Sequence, residues 1–248
     1  MNVVGVIPAR WGSTRLPGKS LVEICGRPLI AWVIESASRA TRLDSLVVAT
    51  DDARIAGVAE GAGCRAVMTR TDHPSGTDRV AEAVDAVDAD VIVNIQGDEP
   101  LVEGALIDSL ADVLLSDTQW DMATAATPIT REEDLVNPSV VKVVFDRNGG
   151  ALYFSRSVIP YDRDADATAG KVPYWWHMGL YAYRRSFLSR LVATPPCMLE
   201  KAEKLEQLRA LDIGGRMKVL TTTHRAAGVD TPEDVAYVES LIRGEQPS

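Results

Sequence analysis

The sequence predicts an α/β domain on a mainly parallel sheet, and three features carry that prediction. Short β-branched runs bounded by turn residues alternate with longer segments whose apolar residues recur at a 3.6 period, the grammar of βαβ units. The first run, Val3 to Ala9, is apolar almost throughout, as a strand buried on both faces must be. A chain of 248 residues, 46% hydrophobic and 25% charged, is long and apolar enough to close one large core.

Taken in order, the first strand is followed by a long loop and a helix over Pro28 to Ala40, with Leu29, Trp32, Val33 and Ser36-Ala37 on one stripe and Pro28 in the first turn. SLVVAT, Ser45 to Thr50, is the second strand, and the Asp51-Asp52 pair after it supplies a cap for a helix over Ala53 to Ala62. A short strand over Ala66 to Thr69 and a helix over Thr77 to Val87 precede the apolar strand Asp90 to Gln96, which Gly97-Asp98-Glu99-Pro100 stops. Leu106 to Leu115 is a further helix. From about Asp121 the runs MATAATPI, VVKVVFD, ALYFS and MGLYAYR follow with little helix between them, the pattern of antiparallel hairpins added to the sheet. The polar stretch Arg163 to Lys171 reads as an exposed loop tip. Met198 to Leu211 returns to a helix, Lys218 to Thr222 is a late strand, and Thr231-Pro232-Glu233-Asp234 starts the last helix with a cap, a first-turn proline and acids at the positive dipole end. No repeat or composition break divides the chain, so residues 1–248 form one domain, with 121–185 as a β-rich insertion.

Charge and cysteine usage remove whole classes of function. Lys+Arg 26 against Asp+Glu 35 gives a formal charge of −9, so the surface repels nucleic acid and anionic membrane. No apolar stretch approaches the roughly 18 residues of a membrane span. Cys25, Cys64 and Cys197 are far apart and odd in number, which argues for a reducing, cytoplasmic compartment without a disulfide framework.

Against this acidic background, Arg10, Arg15 and Lys19 fall within ten residues in the loop Pro8 to Lys19. In an open parallel sheet the first βα loop, at the carboxyl end of the strand, is the usual phosphate site. Gly12 and Gly18 permit close backbone approach, and the three cations suit a triphosphate. The loop is not a P-loop: five residues separate its glycines where that motif has four, and Pro17 removes an amide from the cradle. Two acidic clusters stand at other strand-to-helix junctions, Gly97-Asp98-Glu99 and Val229-Asp230-Thr231. Asp98 and Asp230 together match what Mg²⁺ takes beside phosphate oxygens. Each also has a plain structural reading, Asp98 as a turn residue and Asp230 as part of a helix start.

Eight ordered motifs, PARWGSTRLPGK, TRTDHPSGTDR, VNIQGDEP, NPSVVKVV, ALYFSR, HMGLYAYR, KLEQLR and GVDTPED, together resemble the 3-deoxy-manno-octulosonate cytidylyltransferases of the nucleotidyltransferase family, from residue 1 to about 240. The resemblance implies a Rossmann-like α/β fold with a mixed, mainly parallel sheet, helices on both faces and a mid-chain β-rich insertion that builds a homodimer. It implies Mg²⁺-dependent transfer of CMP from CTP to an acidic eight-carbon sugar, 3-deoxy-manno-octulosonate (Kdo), by in-line attack of the anomeric hydroxyl with release of pyrophosphate, for lipopolysaccharide synthesis. On this pattern Arg10, Ser13 and Lys19 bind the phosphates, and Pro8, Ala9, Ser75, Gly76 and Thr77 hold the cytosine with Arg79 nearby. Gln96, Arg156, His177, Tyr181, Glu206 and Gln207 take the sugar, with Arg156 pairing its carboxylate, and Asp98 and Asp230 take the metal. Arg10, Lys19 and Asp98 would be the catalytic residues, the first two stabilising charge on the leaving group and Asp98 helping to deprotonate or orient the hydroxyl. Read without the resemblance, His177, Tyr181 and Glu206-Gln207 could equally be packing residues or a solvated helix face. Two alternatives stay open: the 8-amino analogue of Kdo or another acidic sugar as acceptor, and a nucleotide-binding module without turnover.

Overall fold

The computed structural model describes residues 1–13, 16–163, 173–224 and 227–245. Strand β1 (Val3–Ala9) leads through the basic loop and a short 3-10 turn (Lys19–Leu21) to a hairpin of β2 (Glu23–Ile24) and β3 (Arg27–Pro28), then α1 (Leu29–Ala37). There follow β4 (Ser45–Thr50), α2 (Ala53–Gly61), β5 (Arg65–Met68), α3 (Gly76–Asp85), β6 (Val91–Asn94) and α4 (Gly104–Ser116). The second half runs β7 (Met122–Pro128), α5 (Glu132–Val136), β8 (Lys142–Phe145), β9 (Ala151–Ser155), β10 (Trp175–Arg184), α6 (Arg185–Ala193), α7 (Met198–Glu203), α8 (Gln207–Asp212), β11 (Met217–Thr221) and α9 (Pro232–Ile242).

The main sheet has the order β11-β7-β10-β6-β1-β4-β5. Strand β1 lies parallel between β4 and β6, β11 lies parallel to β7, and β10 runs antiparallel to both β6 and β7. Alternation along β1 divides its side chains between two cores. Val3, Ile7 and Ala9 join α1, α2, α4 and α9 on one face, while Val4 and Val6 join α3, α6 and α8 on the other. The doubly covered sheet is thus the expected α/β architecture, and the carboxyl ends of β1, β4 and β6 share one edge.

The structure redraws three expectations. Of residues 121–185, β7 and β10 are interior strands of the main sheet, and only the β8–β9 hairpin branches from it, where Lys142 meets Trp176. Pro28 closes the β2–β3 hairpin and stands as the cap of α1, one residue ahead of the helix, because its extended ψ of 141° cannot start a turn. The helix expected over Met198 to Leu211 is two helices: Lys204 adopts the left-handed conformation (φ 55°), and the chain restarts as α8 at Gln207. The apolar period does not report that break, since Leu205 and Leu208 beyond it continue the spacing and are buried. Helix α6 lies on a stretch that carries no strong start signal and was not expected.

Candidate active site

The loop after β1 and the loop after β6 are brought together by backbone. Ile95 N–H donates to the Val6 carbonyl (2.9 Å), and Gly97 lies so close to β1 that a Cβ there would sit 2.6 Å from the Pro8 carbonyl oxygen. The second acidic cluster arrives by a further backbone bond, Val229 N–H to the Asp98 carbonyl (2.9 Å), which sets Asp230 beside Asp98. Thr231 fixes the approach from the other side, since it and Asp234 form a capping box at the start of α9 and the Asp234 carboxylate also accepts from Asp230 N–H (2.9 Å).

Lys19 stands at this junction. Its Nζ donates to Asp98 Oδ2 at 2.5 Å and to Asp230 Oδ1 at 3.1 Å. Burial works against its charge, but the two carboxylates outweigh burial and hold the Lys19 pKa above its ordinary 10.5. Next door, burial raises the Glu99 carboxyl to about 8, with the charge of Asp98 adding to the effect.

Two adjoining cavities, of about 330 and 320 Å³, form one cleft along this edge and share Pro8, Gly76, Gln96 and Glu206. The chamber nearer the basic loop is lined by Pro8, Ala9, Arg10, Ser13, Lys19, Ser75, Gly76 and Arg79, with Asp98 and Asp230. Of the residues assigned to the nucleotide, only Thr77 faces the other chamber instead. The other chamber is lined by Gln96, Tyr181, Glu206 and Gln207. Gln96 is aimed by its Nε2 bond to the Gly179 carbonyl (2.7 Å), at the point where β10 slips register and turns Tyr181 toward the cleft. Thr77 Oγ1 donates to Glu206 Oε2 (2.8 Å), linking the start of α3 to the break between α7 and α8. The left-handed Lys204 is therefore what carries Glu206 and Gln207 inward from an otherwise solvated face.

Two residues expected on the sugar stand behind the lining. Arg156 does not line either chamber: its Nε donates to the Glu203 carbonyl (2.7 Å), one terminal nitrogen to the Pro138 carbonyl (2.8 Å) and the other toward the Lys204 carbonyl (3.4 Å). An arginine after an apolar strand has thus found backbone carbonyls, two of which belong to the turn that presents Glu206. His177 is buried beneath Gln207, edge-on to Phe154, and burial pulls its pKa down to about 3, so the ring is neutral. Thr124 spends its hydroxyl proton on the Leu180 carbonyl (2.9 Å), so its oxygen accepts from His177 Nε2–H (3.0 Å) and leaves Nδ1 to accept from Gln207 Nε2 (3.5 Å).

The expected pool of free cations is also smaller. Arg79 is buried and committed to Asp51 Oδ2 (2.9 Å) and Thr69 Oγ1 (2.5 Å). Arg15 and residues 164–171 of the polar loop lie outside the described residues. Among the described residues the Arg10 side chain has no hydrogen-bond or ion-pair partner, and it points into the first chamber's lining. Among the described residues that line this chamber, Arg10, Lys19 and Arg79 stand against Asp98, Asp230 and Glu206, so a triphosphate there calls for the counter-charge of a divalent cation. The carboxylate pair, already converged on an ammonium, is a hard-oxygen donor set that fits Mg²⁺ completed by phosphate oxygens and water. No cluster of three His, Cys, Asp or Glu side chains that could hold a metal stands among the described residues.

Sequence reasoning overlooked Asp51, His73, Asn94, Tyr183 and Arg209. Asp51 was visible only as a helix-cap candidate, although its place at the end of SLVVAT puts it on the same sheet edge as Asp98. His73 and Arg209 lie within motifs that were singled out, but their bonds to Glu82 and Glu200 depend on tertiary placement. Asn94 is buried in the second chamber's lining with its Oδ1 unpartnered among the described residues.

Comparison with known proteins bears on the whole chain. A family model described as cytidylyltransferase matches residues 4–219. The 3-deoxy-manno-octulosonate cytidylyltransferase of Bdellovibrio bacteriovorus is 50% identical over 246 residues, 99% of each chain, and that of Syntrophobacter fumaroxidans is 51% identical over 245 residues, 98% of this chain and 97% of the relative. A solved CMP:2-keto-3-deoxy-manno-octonic acid synthetase complexed with CTP superposes with a TM-score of 0.93 at 41% identity, covering 99% of this chain and all of the other. A cytidylyltransferase from Leptospira borgpetersenii, at 18% identity and a TM-score of 0.67, shares the fold.

Proposed function

The chain belongs to the cytidylyltransferase family, and from that premise we propose that the two-chambered cleft is its active site, with the nucleotide beside the basic loop and the sugar against Gln96, Tyr181, Glu206 and Gln207. The enzyme transfers CMP from CTP to Kdo. The observation that carries the site assignment is the convergence of Lys19, Asp98 and Asp230, from three distant segments, in the chamber beside the basic loop.

The reaction is in-line displacement: the anomeric hydroxyl of Kdo forms the new bond to the α-phosphorus, the bond to the bridging oxygen breaks, and pyrophosphate leaves. Arg10 and Lys19 bind the triphosphate and offset charge moving onto the leaving group. Pro8, Ala9, Ser13, Ser75, Gly76 and Thr77 form the nucleotide wall, and Arg79 braces it from beneath through Asp51. Asp98 and Asp230 would hold Mg²⁺, which supplies charge neutralisation and Lewis-acid polarisation at the phosphates. Asp98, next to Gln96 at the chamber boundary, orients the attacking hydroxyl as an acceptor. His177 sets the rotamer of Gln207, and Arg156 orders the turn that carries Glu206, so both serve the sugar without touching it.

The reading includes a cytoplasmic homodimer whose product feeds lipopolysaccharide synthesis. The exposed apolar side chains Leu152, Val158 and Tyr161, the last 86% exposed, support a subunit contact on the mid-chain segment, and three free thiols support a reducing compartment. No helix among the described residues is long and apolar enough to cross a membrane.

The test is pyrophosphate release from CTP and Mg²⁺ with Kdo, its 8-amino analogue or neuraminate. Release with Kdo and not with neuraminate is expected, and no release with any acid sugar overturns the reading. Asp98→Asn should lose turnover at saturating Mg²⁺, and near-wild-type kcat in that variant would remove Asp98 from the mechanism.

A further inference from the structure

The basic loop carries the two cations assigned to the triphosphate near its ends, yet neither is held there by a strand or helix of its own. Arg10 follows β1 and Lys19 opens a three-residue 3-10 turn. Trp11 follows Arg10 in sequence and touches Gly18, the residue before Lys19. Its ring lies under the Arg54 guanidinium, 3.5 Å from ring centroid to Cζ, and on its other contact it presses against Gly18. A Cβ on Gly18 would fall 2.9 Å from Trp11 Cη2, and the positive φ of 67° at Gly18 likewise admits no side chain easily.

Both anchors of this stack are themselves fixed. Arg54 is aimed by Asp52, which accepts from its Nε (2.9 Å) and terminal nitrogen (2.6 Å) while capping α2. The Trp11 backbone N–H donates to Asp51 Oδ1 (3.1 Å), and the second oxygen of that carboxylate takes Arg79. The loop is therefore pinned at one residue to the ends of β4 and α2, and at Gly18 to the same ring.

We propose that Trp11 is a positioning residue for the nucleotide: its ring, in contact with both Arg54 and Gly18, ties the residue after Arg10 to the residue before Lys19, so that the two cations are set toward one triphosphate. This rests on the cytidylyl-transfer reading of the cleft. The indole does not line the chamber, and its effect is to set Arg10 and Lys19 in place before the nucleotide arrives. A half-exposed tryptophan in this basic loop thus has a task that core packing does not explain.

Trp11→Ala should weaken CTP binding in Mg²⁺ buffer, measured by calorimetry, by about tenfold, the cost of ordering one or two residues on binding. The KM for CTP should rise in step, while the KM for Kdo and the melting temperature stay near wild type. Trp11→Phe keeps a flat ring and should restore CTP binding to within about threefold, and Arg54→Met, which removes only the outer face of the stack, should cost about threefold. Wild-type CTP affinity in Trp11→Ala overturns the proposal, as does equal impairment of the Ala and Phe variants. Wild-type enzyme that releases no pyrophosphate overturns the cytidylyl-transfer reading instead, and the loop is then judged by the same variants binding magnesium tripolyphosphate.

Discussion

Replacing Gly97 with alanine would insert a methyl group 2.6 Å from the Pro8 carbonyl oxygen and 3.5 Å from Ile7 Cγ2. That is about 0.8 Å inside ordinary contact, and the obstacle is backbone on a central strand, which cannot rotate away. Relief requires the loop after β6 to lift from β1. Overpacking of this kind costs about 1–3 kcal/mol, which for a chain of this size lowers the melting temperature by roughly 2–12 °C. Activity should suffer more than stability. Pro8 and Gln96 line both chambers and Asp98 follows directly, so the displacement separates the nucleotide wall from the carboxylates. A misplacement near 1 Å in a positioned site costs on the order of a hundredfold in rate. The assay is kcat/KM for CTP at saturating Kdo, beside a thermal melt. Gly57→Ala is the control: it lies on exposed α2 with nothing within 4 Å of the added Cβ, and should gain about 0.5–1 kcal/mol with activity unchanged. Wild-type kcat/KM in Gly97→Ala would refute the claim that close approach of β1 and β6 holds the site together.

Two further outcomes follow from residues behind the lining. Arg156→Ala should raise the KM for Kdo by about tenfold, the worth of a charged hydrogen bond or two to the Glu203–Lys204 turn, and change the KM for CTP by less than about threefold; equal effects on both substrates would contradict its placement. His177 gives the fold an acid sensitivity. Its folded pKa of about 3 lies below the ordinary 6.5, so below pH 6.5 the unfolded chain takes up a proton that the folded chain refuses until about pH 3. The stability is complete above pH 6.5 and falls as the pH drops through that window, by about 1.4 kcal/mol at pH 5.5. Thermal melts between pH 7 and 5 should show this slope in wild type and a shallower one in His177→Gln, and parallel slopes would show that another group carries it.

What could be read from sequence divides by range of interaction. The double burial of β1, the caps at Asp52 and Thr231 and the stop after β6 are short-range statements, and each is observed. The break at Lys204 is also local, but a left-handed lysine leaves no mark in an apolar period, so Glu206 and Gln207 looked like a solvated face. Residues 121–185 looked like an appendage because hairpin grammar cannot tell an edge strand from an interior one. Pairing partners decide that, and β10 finds its partners in β6 87 to 93 residues away and in β7 47 to 61 residues away along the chain.

An α/β chain, a phosphate-seeking loop after its first strand and carboxylates at two other strand ends are legible along the chain, because they follow from side-chain period, turn chemistry and charge within a few residues. How those charges are partnered is settled by folding. Lys19 meets the nucleotide chamber already paired with Asp98 and Asp230, Arg79 is held by Asp51 and Arg156 by carbonyls, while the Arg10 side chain has no partner among the described residues. Charge can be counted along a chain, but its effect on a ligand depends on what lies within a few ångströms, and that distance is set by folding.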